Sequence, residues 1–293
     1  MQTAGPEDGR GHAYPPGGID TMGQLDGKVA FITGAGRGQG RSHAALLAEH
    51  GADVIAVDVC ADIPTVPYPM ATADDLAETA RVVEAAGRRC VTAVADVRDI
   101  AALDKALQHG IAELGGVDIV LANAGVLHSD PGAETTLERS AANWADAIGV
   151  MLTGVFNTLK VTERPLIDQG RGGSIVVTGS TAGLKGMTDG SGGLSGYNAA
   201  KHGLVGLAKG WARLLGPHSV RVNVVHPTAV DTFMINNPHS PMTDGSRLQQ
   251  VTRVLPVDRL QPVDVSRAIL WLVSDEAYAV TGISLPVEAG MTL

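Results

Sequence analysis

Aromatic side chains are scarce: Phe, Trp and Tyr together make up 3% of the 293 residues. A core so poor in rings has to be filled by Ala, Val, Leu and Ile, with backbones packed closely, and 37 glycines permit that. Cysteine is nearly missing. Cys60 and Cys90 form no CxxC and have no histidine pair nearby, which excludes a zinc site and a disulfide scaffold. The pattern points to a reduced, cytoplasmic protein. No run of about 18 uncharged apolar residues occurs, so no membrane-spanning helix is expected. Positive charge is also short, with 22 Lys and Arg against 31 Asp and Glu, net −9. The basic residues are scattered, which argues against a nucleic-acid surface and against an anionic-membrane anchor.

What remains is a globular composition, 44% apolar and 18% charged. Residues 1–24 are rich in Gly and Pro and lack periodicity, so they read as a mobile N-terminal tail. The tail has no apolar signal-peptide core, and Met22 is a second candidate start. Residues 25–293 read as one domain. Strand-like runs at Val29–Thr33, Asp53–Asp58, Cys90–Ala95, Val117–Ala122, Ser174–Thr178, Val220–Val225 and Ile283–Val287 alternate with helical spacing. Helices are expected after the first strand up to Gly51 and at about 73–86, 100–114, 141–168, 197–215 and 263–274. The strands are continuous apolar runs, as when helices cover both faces of a parallel sheet. Seven strands in a β-α-β series predict an α/β, doubly wound Rossmann-type domain.

The first strand-to-helix turn reads Thr33-Gly34-Ala35-Gly36-Arg37-Gly38-Gln39-Gly40, which fits TGxxxGxG rather than GxGxxG. Glycines there allow a tight turn and let backbone N–H groups approach a diphosphate at the helix N-terminus. Asp58 ends the second strand, where a carboxylate accepts both ribose hydroxyls of NAD and repels the 2′-phosphate of NADP. Arg37 pulls the other way, since a guanidinium there can pair with that phosphate. Asp58 is the better placed, and NAD is the expected cofactor.

Tyr197 and Lys201 are four residues apart on a predicted helix, so phenol and ammonium share a face. A lysine cation beside a phenol is expected to lower its pKa and suit it to general acid–base work. Ser180 follows the strand Ser174–Thr178 and can hydrogen-bond a substrate oxygen. A lone YxxxK has little meaning; with the glycine turn and Ser180 it becomes specific.

With these residues assembled, the sequence resembles the short-chain dehydrogenase/reductase family over about residues 26–293. The resemblance rests on Thr33–Gly40, Asp96-Val97, Asn123-Ala124-Gly125, Ser180, Tyr197, Lys201, Pro227 with Val230 and Thr232, and the terminal VTGISLPVEAG. It implies that Gly34, Arg37, Gly38, Gln39 and Gly40 border the cofactor and that Asp96 and Val97 hold the adenine. Asn123, Ala124 and Gly125 would close the floor, with Pro227, Val230 and Thr232 at the nicotinamide carboxamide. Ser180 would orient the substrate oxygen, Tyr197 act as acid and base, and Lys201 hold the nicotinamide ribose and tune Tyr197. Two positions depart from the pattern. Met151 replaces an Asn that feeds a water relay to the Lys, and Thr228 replaces a common Gly.

The segment Cys60–Ala73, with three prolines, is an insertion after the second strand. It resembles the mycofactocin-coupled, carveol-dehydrogenase-like branch of actinobacteria. That implies a tightly held NAD reoxidised by a redox peptide cofactor. The expected reaction moves hydride between a secondary alcohol and a ketone. An NADP-linked 3-oxoacyl reductase and a catalytically weak NAD-binding sensor or scaffold stay open as alternatives. The helices at about 141–168 and 197–215 carry small and apolar residues around much of their circumference, for which a homo-oligomer, dimer or tetramer, is expected. A lid is expected at roughly 233–257. No metal site is expected.

Overall fold

The computed structural model describes residues 23–128, 135–237 and 253–293. Strands β1 Val29–Thr33, β2 Asp53–Asp58, β3 Cys90–Val94, β4 Ile119–Ala122, β5 Gly173–Thr178, β6 Val220–Pro227 and β7 Ser284–Val287 form one sheet. All pairings are parallel, in the order β3-β2-β1-β4-β5-β6-β7. The helices are α1 Gly38–Glu49, α2 Ala73–Ala85, α3 Ile100–Leu114, α4 Leu137–Ile148, α5 Gly154–Asp168, α6 Gly192–Leu215 and α7 Pro262–Val273. Alternate residues of the central strands enter opposite layers. Phe31, Ile55 and Val57 pack with Leu103, Leu159 and Leu204 on the α3, α5 and α6 side. Ala30, Ile32, Val54 and Ala56 pack with Leu47, Val83 and Ile269 on the α1, α2 and α7 side. The chain runs outward from β1 to β3, then returns to start again at β4. The strand order therefore reverses between β1 and β4, and a cleft opens at their C-terminal ends, as doubly wound sheets dictate.

Three expectations need correcting. The edge strands are not uniformly apolar: β3 alternates between half-buried and exposed residues, with Val94 63% exposed, because it pairs with a neighbouring strand on one side only. The helix expected at 197–215 starts at Gly192, not at Tyr197. Ser191 caps it by accepting from the Leu194 N–H at 3.1 Å. Its first turns are glycine because they press on neighbours: a Cβ on Gly193 would lie 2.4 Å from the Cβ of His128. The stretch predicted as 141–168 begins at Leu137, capped by Thr136, and is interrupted by a π-helical turn, Gly149–Thr153. Of the expected lid, residues 238–252 lie outside the described residues, as does the tail up to residue 22. Leu25 is buried, and its N–H bonds the carbonyl of His50.

Candidate active site

The glycine turn is shaped by close approach. Gly34 has φ +68°, and a Cβ there would lie 2.8 Å from the Cα of Ala124. A Cβ on Gly40 would lie 2.0 Å from the Gly34 carbonyl oxygen, so α1 docks directly on the turn. Helices α2, α3, α4 and α6 each begin with a side-chain cap, Thr72, Asp99, Thr136 and Ser191. Helix α1 has none. Its first-turn N–H groups and its positive dipole end are left for an anion. Gln39 Oε1 is buried there without a partner. Thr232 closes over the same point, 3.3 Å from where a Cβ of Gly38 would stand.

Asp58, 8% exposed, accepts from the Gly36 N–H at 2.8 Å through Oδ2 and from the Cys60 N–H at 3.4 Å through Oδ1. It thus shapes the turn as well as lining the cleft. Arg37 is occupied elsewhere. It donates to the Pro69 carbonyl at 2.5 Å, and its guanidinium stacks on Phe233, 4.4 Å from the ring centroid.

The floor is braced by Asn123. Its Nδ2 donates to the carbonyls of Thr33 and Gly34, and its Oδ1 accepts from the Thr178 hydroxyl, which ties β1, β4 and β5 together. Ala124 and Gly125 follow it along the cleft wall. Asp96 and Val97 line the far end. The Asp96 carboxylate is paired with Arg98 at 2.6 Å, and this partner holds it below the usual carboxylate range despite burial. Arg98 also bonds Asp146 at 2.6 Å. Asp146 in turn accepts from the Thr65 hydroxyl at 2.5 Å, and His128 Nε2 lies 2.9 Å from that hydroxyl.

Thr65 belongs to the proline-rich insertion, which packs inward. Ile63, Val66, Tyr68 and Ala71 are buried, and the Tyr68 oxygen accepts from the Leu127 N–H at 3.0 Å. Burial pushes the Tyr68 phenol up to about 12, so it stays protonated. Its ring meets Phe233 edge-on at 6.3 Å. Ile63, Tyr68, Met70 and Ala71 line the same cleft as Asp58 and Asp96.

At the other end, Ser180, Tyr197 and Lys201 converge with Met151, Pro227, Thr228, Val230 and Thr232. Ser180 follows β5, and Tyr197 and Lys201 face it from α6. The Ser180 hydroxyl lies beside the Tyr197 phenol and acts to lower its pKa. Lys201 is buried, donates to the Thr178 carbonyl at 2.7 Å and lies 5.5 Å from the centroid of the Tyr197 ring. Burial brings its ammonium down to about 8. The expected lowering of the Tyr197 pKa by Lys201 is reversed here. Burial holds the phenol above the ordinary tyrosine value, and only the Ser180 hydrogen bond pulls it back. Thr228, at the position of the family's glycine, donates to Met291 Sδ at 3.1 Å and so anchors the C-terminal turn.

Every residue expected from the sequence to act in catalysis or hold the cofactor therefore borders one of two adjoining cavities along the strand ends. Sequence reasoning did not single out Ile63, Tyr68, Met70 and Ala71 of the insertion or Val150, whereas Phe233, Met234 and Ile235 stand at the start of the expected lid and line the cavities. The three prolines marked the insertion as stiff, but nothing in it shows which side chains turn inward. No cluster of metal-ligating side chains occurs among the described residues.

Comparison with known proteins follows the same lines. A family profile described as enoyl-(acyl carrier protein) reductase matches residues 34–292. The (−)-trans-carveol dehydrogenase of Rhodococcus erythropolis is 45% identical over 283 residues, 93% of this chain and 100% of that one. An uncharacterized oxidoreductase of Mycobacterium tuberculosis is 50% identical over 270 residues, 91% of this chain and 96% of that one. A crystal structure of carveol dehydrogenase from Mycobacterium avium in complex with NAD superposes with a TM-score of 0.84 at 44% identity. It spans 92% of this chain and 99% of the other. On likeness of this extent, the chain belongs to the short-chain dehydrogenase/reductase family.

Proposed function

We propose that the protein is an NAD-dependent dehydrogenase that moves hydride between a secondary alcohol and a ketone. The observation that carries this is the convergence of Ser180, Tyr197 and Lys201 at one end of a cleft whose other end is Asp58. The residues fit NAD: an uncapped helix start suits a diphosphate, and a carboxylate without a free cation beside it suits an unphosphorylated ribose. When bound, NAD supplies the hydride acceptor. Gly34, Gly38, Gln39 and Gly40 would hold its diphosphate, Asp58 the adenosine ribose, Asp96 and Val97 the adenine. Asn123, Ala124 and Gly125 would form the floor, and Pro227, Val230 and Thr232 would hold the carboxamide.

In alcohol oxidation the Ser180 hydroxyl holds the substrate oxygen and Tyr197 Oη removes its proton. Tyr197 enters this step as the phenolate, whose charge the neighbouring Lys201 cation would offset, and leaves it as the neutral phenol. Burial keeps the phenol protonated at neutral pH, the form the reverse step needs to protonate a ketone oxygen. Tyr197→Phe should bind NADH normally and lose about 10²–10⁴-fold in turnover. Near wild-type turnover would refute the role of Tyr197.

The carveol-dehydrogenase-like reading extends to the cofactor's exchange. The insertion covers the adenosine end, and Arg37 joins it to Phe233 across the cleft. NAD is then held tightly and reoxidised in place by a redox peptide of the mycofactocin kind. Dialysed protein should release NAD(H) on denaturation, and an artificial dye should support turnover where free NAD does not. Absence of bound cofactor with fast turnover on free NAD would overturn tight holding but leave the dehydrogenase reading intact. Trp144 and Phe156, each 43% exposed on α4 and α5, and Leu214, 52% exposed on α6, support a homo-oligomer, dimer or homotetramer. A monomeric mass by light scattering would contradict this. Both cysteines are free, which suits a cytoplasmic setting.

A further inference from the structure

The imidazole of His226 is fully buried at the end of β6, and no step above uses it. Its Nδ1 lies 2.7 Å from the carbonyl oxygen of Ser180. Two lone pairs do not approach so closely, so Nδ1 carries the proton and donates to that carbonyl. The Ser180 N–H also approaches Nδ1, at 3.4 Å, but a protonated nitrogen has no lone pair in the ring plane to offer it. Nε2 is then the unprotonated nitrogen, and it is buried without a hydrogen-bond partner. Burial holds the ring's pKa below the usual histidine value, which keeps it neutral.

The ring fits between three elements only because two of its neighbours are glycines. A Cβ on Gly179 would lie 2.7 Å from Nδ1, and one on Gly183 would lie 3.3 Å from Cε1. The same Cβ on Gly183 would lie 2.5 Å from the Lys201 carbonyl oxygen. The imidazole thus joins β6, the turn after β5 and the backbone that carries Lys201.

We propose that His226 is a positioning residue for Ser180; this rests on the reading that the Ser180 hydroxyl holds the substrate oxygen. Ser180 is fully extended, φ −171° and ψ 161°, at the head of a 3₁₀ turn, Thr181–Gly183. Its Oγ accepts from the Ala182 N–H at 3.2 Å inside that turn. The His226 bond fixes the peptide between Ser180 and Thr181, and through it the direction of Oγ toward Tyr197. Without the bond the turn can swing, and a displacement of about 1 Å at a reacting group costs on the order of 10²-fold in rate.

The test combines Ser180→Ala, His226→Leu and the double variant, with (−)-trans-carveol and an artificial dye as substrates. His226→Asn serves as the conservative control, since its amide N–H reaches about where Nδ1 does. His226→Leu should lower kcat by about 10- to 100-fold with unchanged NADH binding and a Tm lower by a few degrees, while His226→Asn keeps most of the activity and the Tm. On the Ser180→Ala background, His226→Leu should add little further loss. ¹⁵N NMR of the wild-type imidazole should show the Nδ1–H tautomer; this needs no substrate. An Nε2–H tautomer, additive losses in the double variant, or equal losses for Asn and Leu would each overturn the proposal. If Ser180→Ala alone leaves turnover intact, the reading of Ser180 fails and the proposal falls with it.

Discussion

Replacing Asp58 separates two jobs that one carboxylate performs. Oδ2 accepts from the buried Gly36 N–H at 2.8 Å, and the same group lines the cleft where the adenosine ribose would lie. Asp58→Ala removes both. The Gly36 N–H is left unsatisfied, which costs about 1–3 kcal/mol and lowers Tm by a few degrees. Loss of charge-assisted bonds to the ribose hydroxyls costs about 1.5–3 kcal/mol, a roughly 10- to 150-fold weaker grip on NAD. Asp58→Asn keeps an acceptor for Gly36 and removes only the charge. A unit charge about 5 Å from a 2′-phosphate, at an effective dielectric of about 20, repels it by about 3 kcal/mol per unit charge before salt screening. Neutralising it should raise relative NADP affinity by about 10²-fold at nearly wild-type Tm.

The assay is competitive NADH and NADPH binding to stripped protein by fluorescence, together with the NAD to NADP ratio released from protein as purified. Arg37 does not confuse the result, because its guanidinium is engaged by the Pro69 carbonyl and the Phe233 ring. Arg37→Ala in the Asp58→Asn background should leave the NADP gain in place. If Asp58→Asn keeps the wild-type preference, the carboxylate does not read the ribose, and the cofactor assignment loses its main physical support.

Other outcomes follow from the same cleft. Lys201 titrates near 8 in the fold against 10.5 for a free lysine, so the unfolded chain binds the extra proton between those values. Stability should therefore rise from pH 8 to 10.5 by about 3 kcal/mol, and fall back as pH drops through 8. Lys201→Met should flatten that slope in urea melts and be more stable than wild type at pH 7, while losing turnover. A slope unchanged by Lys201→Met would place the titrating group elsewhere. Arg37→Ala removes one hydrogen bond and one cation–π contact, about 1 kcal/mol each, so NADH should leave roughly 5- to 30-fold faster in stopped-flow release. An unchanged release rate would show that Arg37 does not hold the cover down.

The sheet was legible because its signals are local. Buried parallel strands read as apolar runs, and Val29–Thr33 and Asp53–Asp58 have the expected bounds. The glycine turn and the Tyr197–Lys201 spacing were legible for the same reason, since each depends on residues within one turn of chain. Boundaries failed where packing overrode propensity. Three glycines in the first turn and a half of α6 read as loop, yet α4 and His128 press so closely that only glycine fits. The Tyr197 pKa failed because a charge neighbour was weighed without desolvation, and burial is a property of the fold.

The cover of the cleft was illegible for a different reason. Its inward side chains are chosen by contacts with segments far away in sequence: Tyr68 with Leu127 and Phe233, Thr65 with Asp146 and His128. Thr65 shows what such contacts impose. Its only proton goes to Asp146 at 2.5 Å, so His128 must supply the proton in the 2.9 Å bond, through Nε2. Asp146 also takes Arg98, whose other partner is Asp96 in the cleft wall. A hydroxyl in the insertion therefore sets the tautomer of a histidine beside α6 and shares a carboxylate with Arg98, the partner of Asp96. The prolines stiffen the segment, but these bonds give it one conformation, and they tie the loop to Arg98 and Asp96 on one side and, through His128, to the start of α6 on the other.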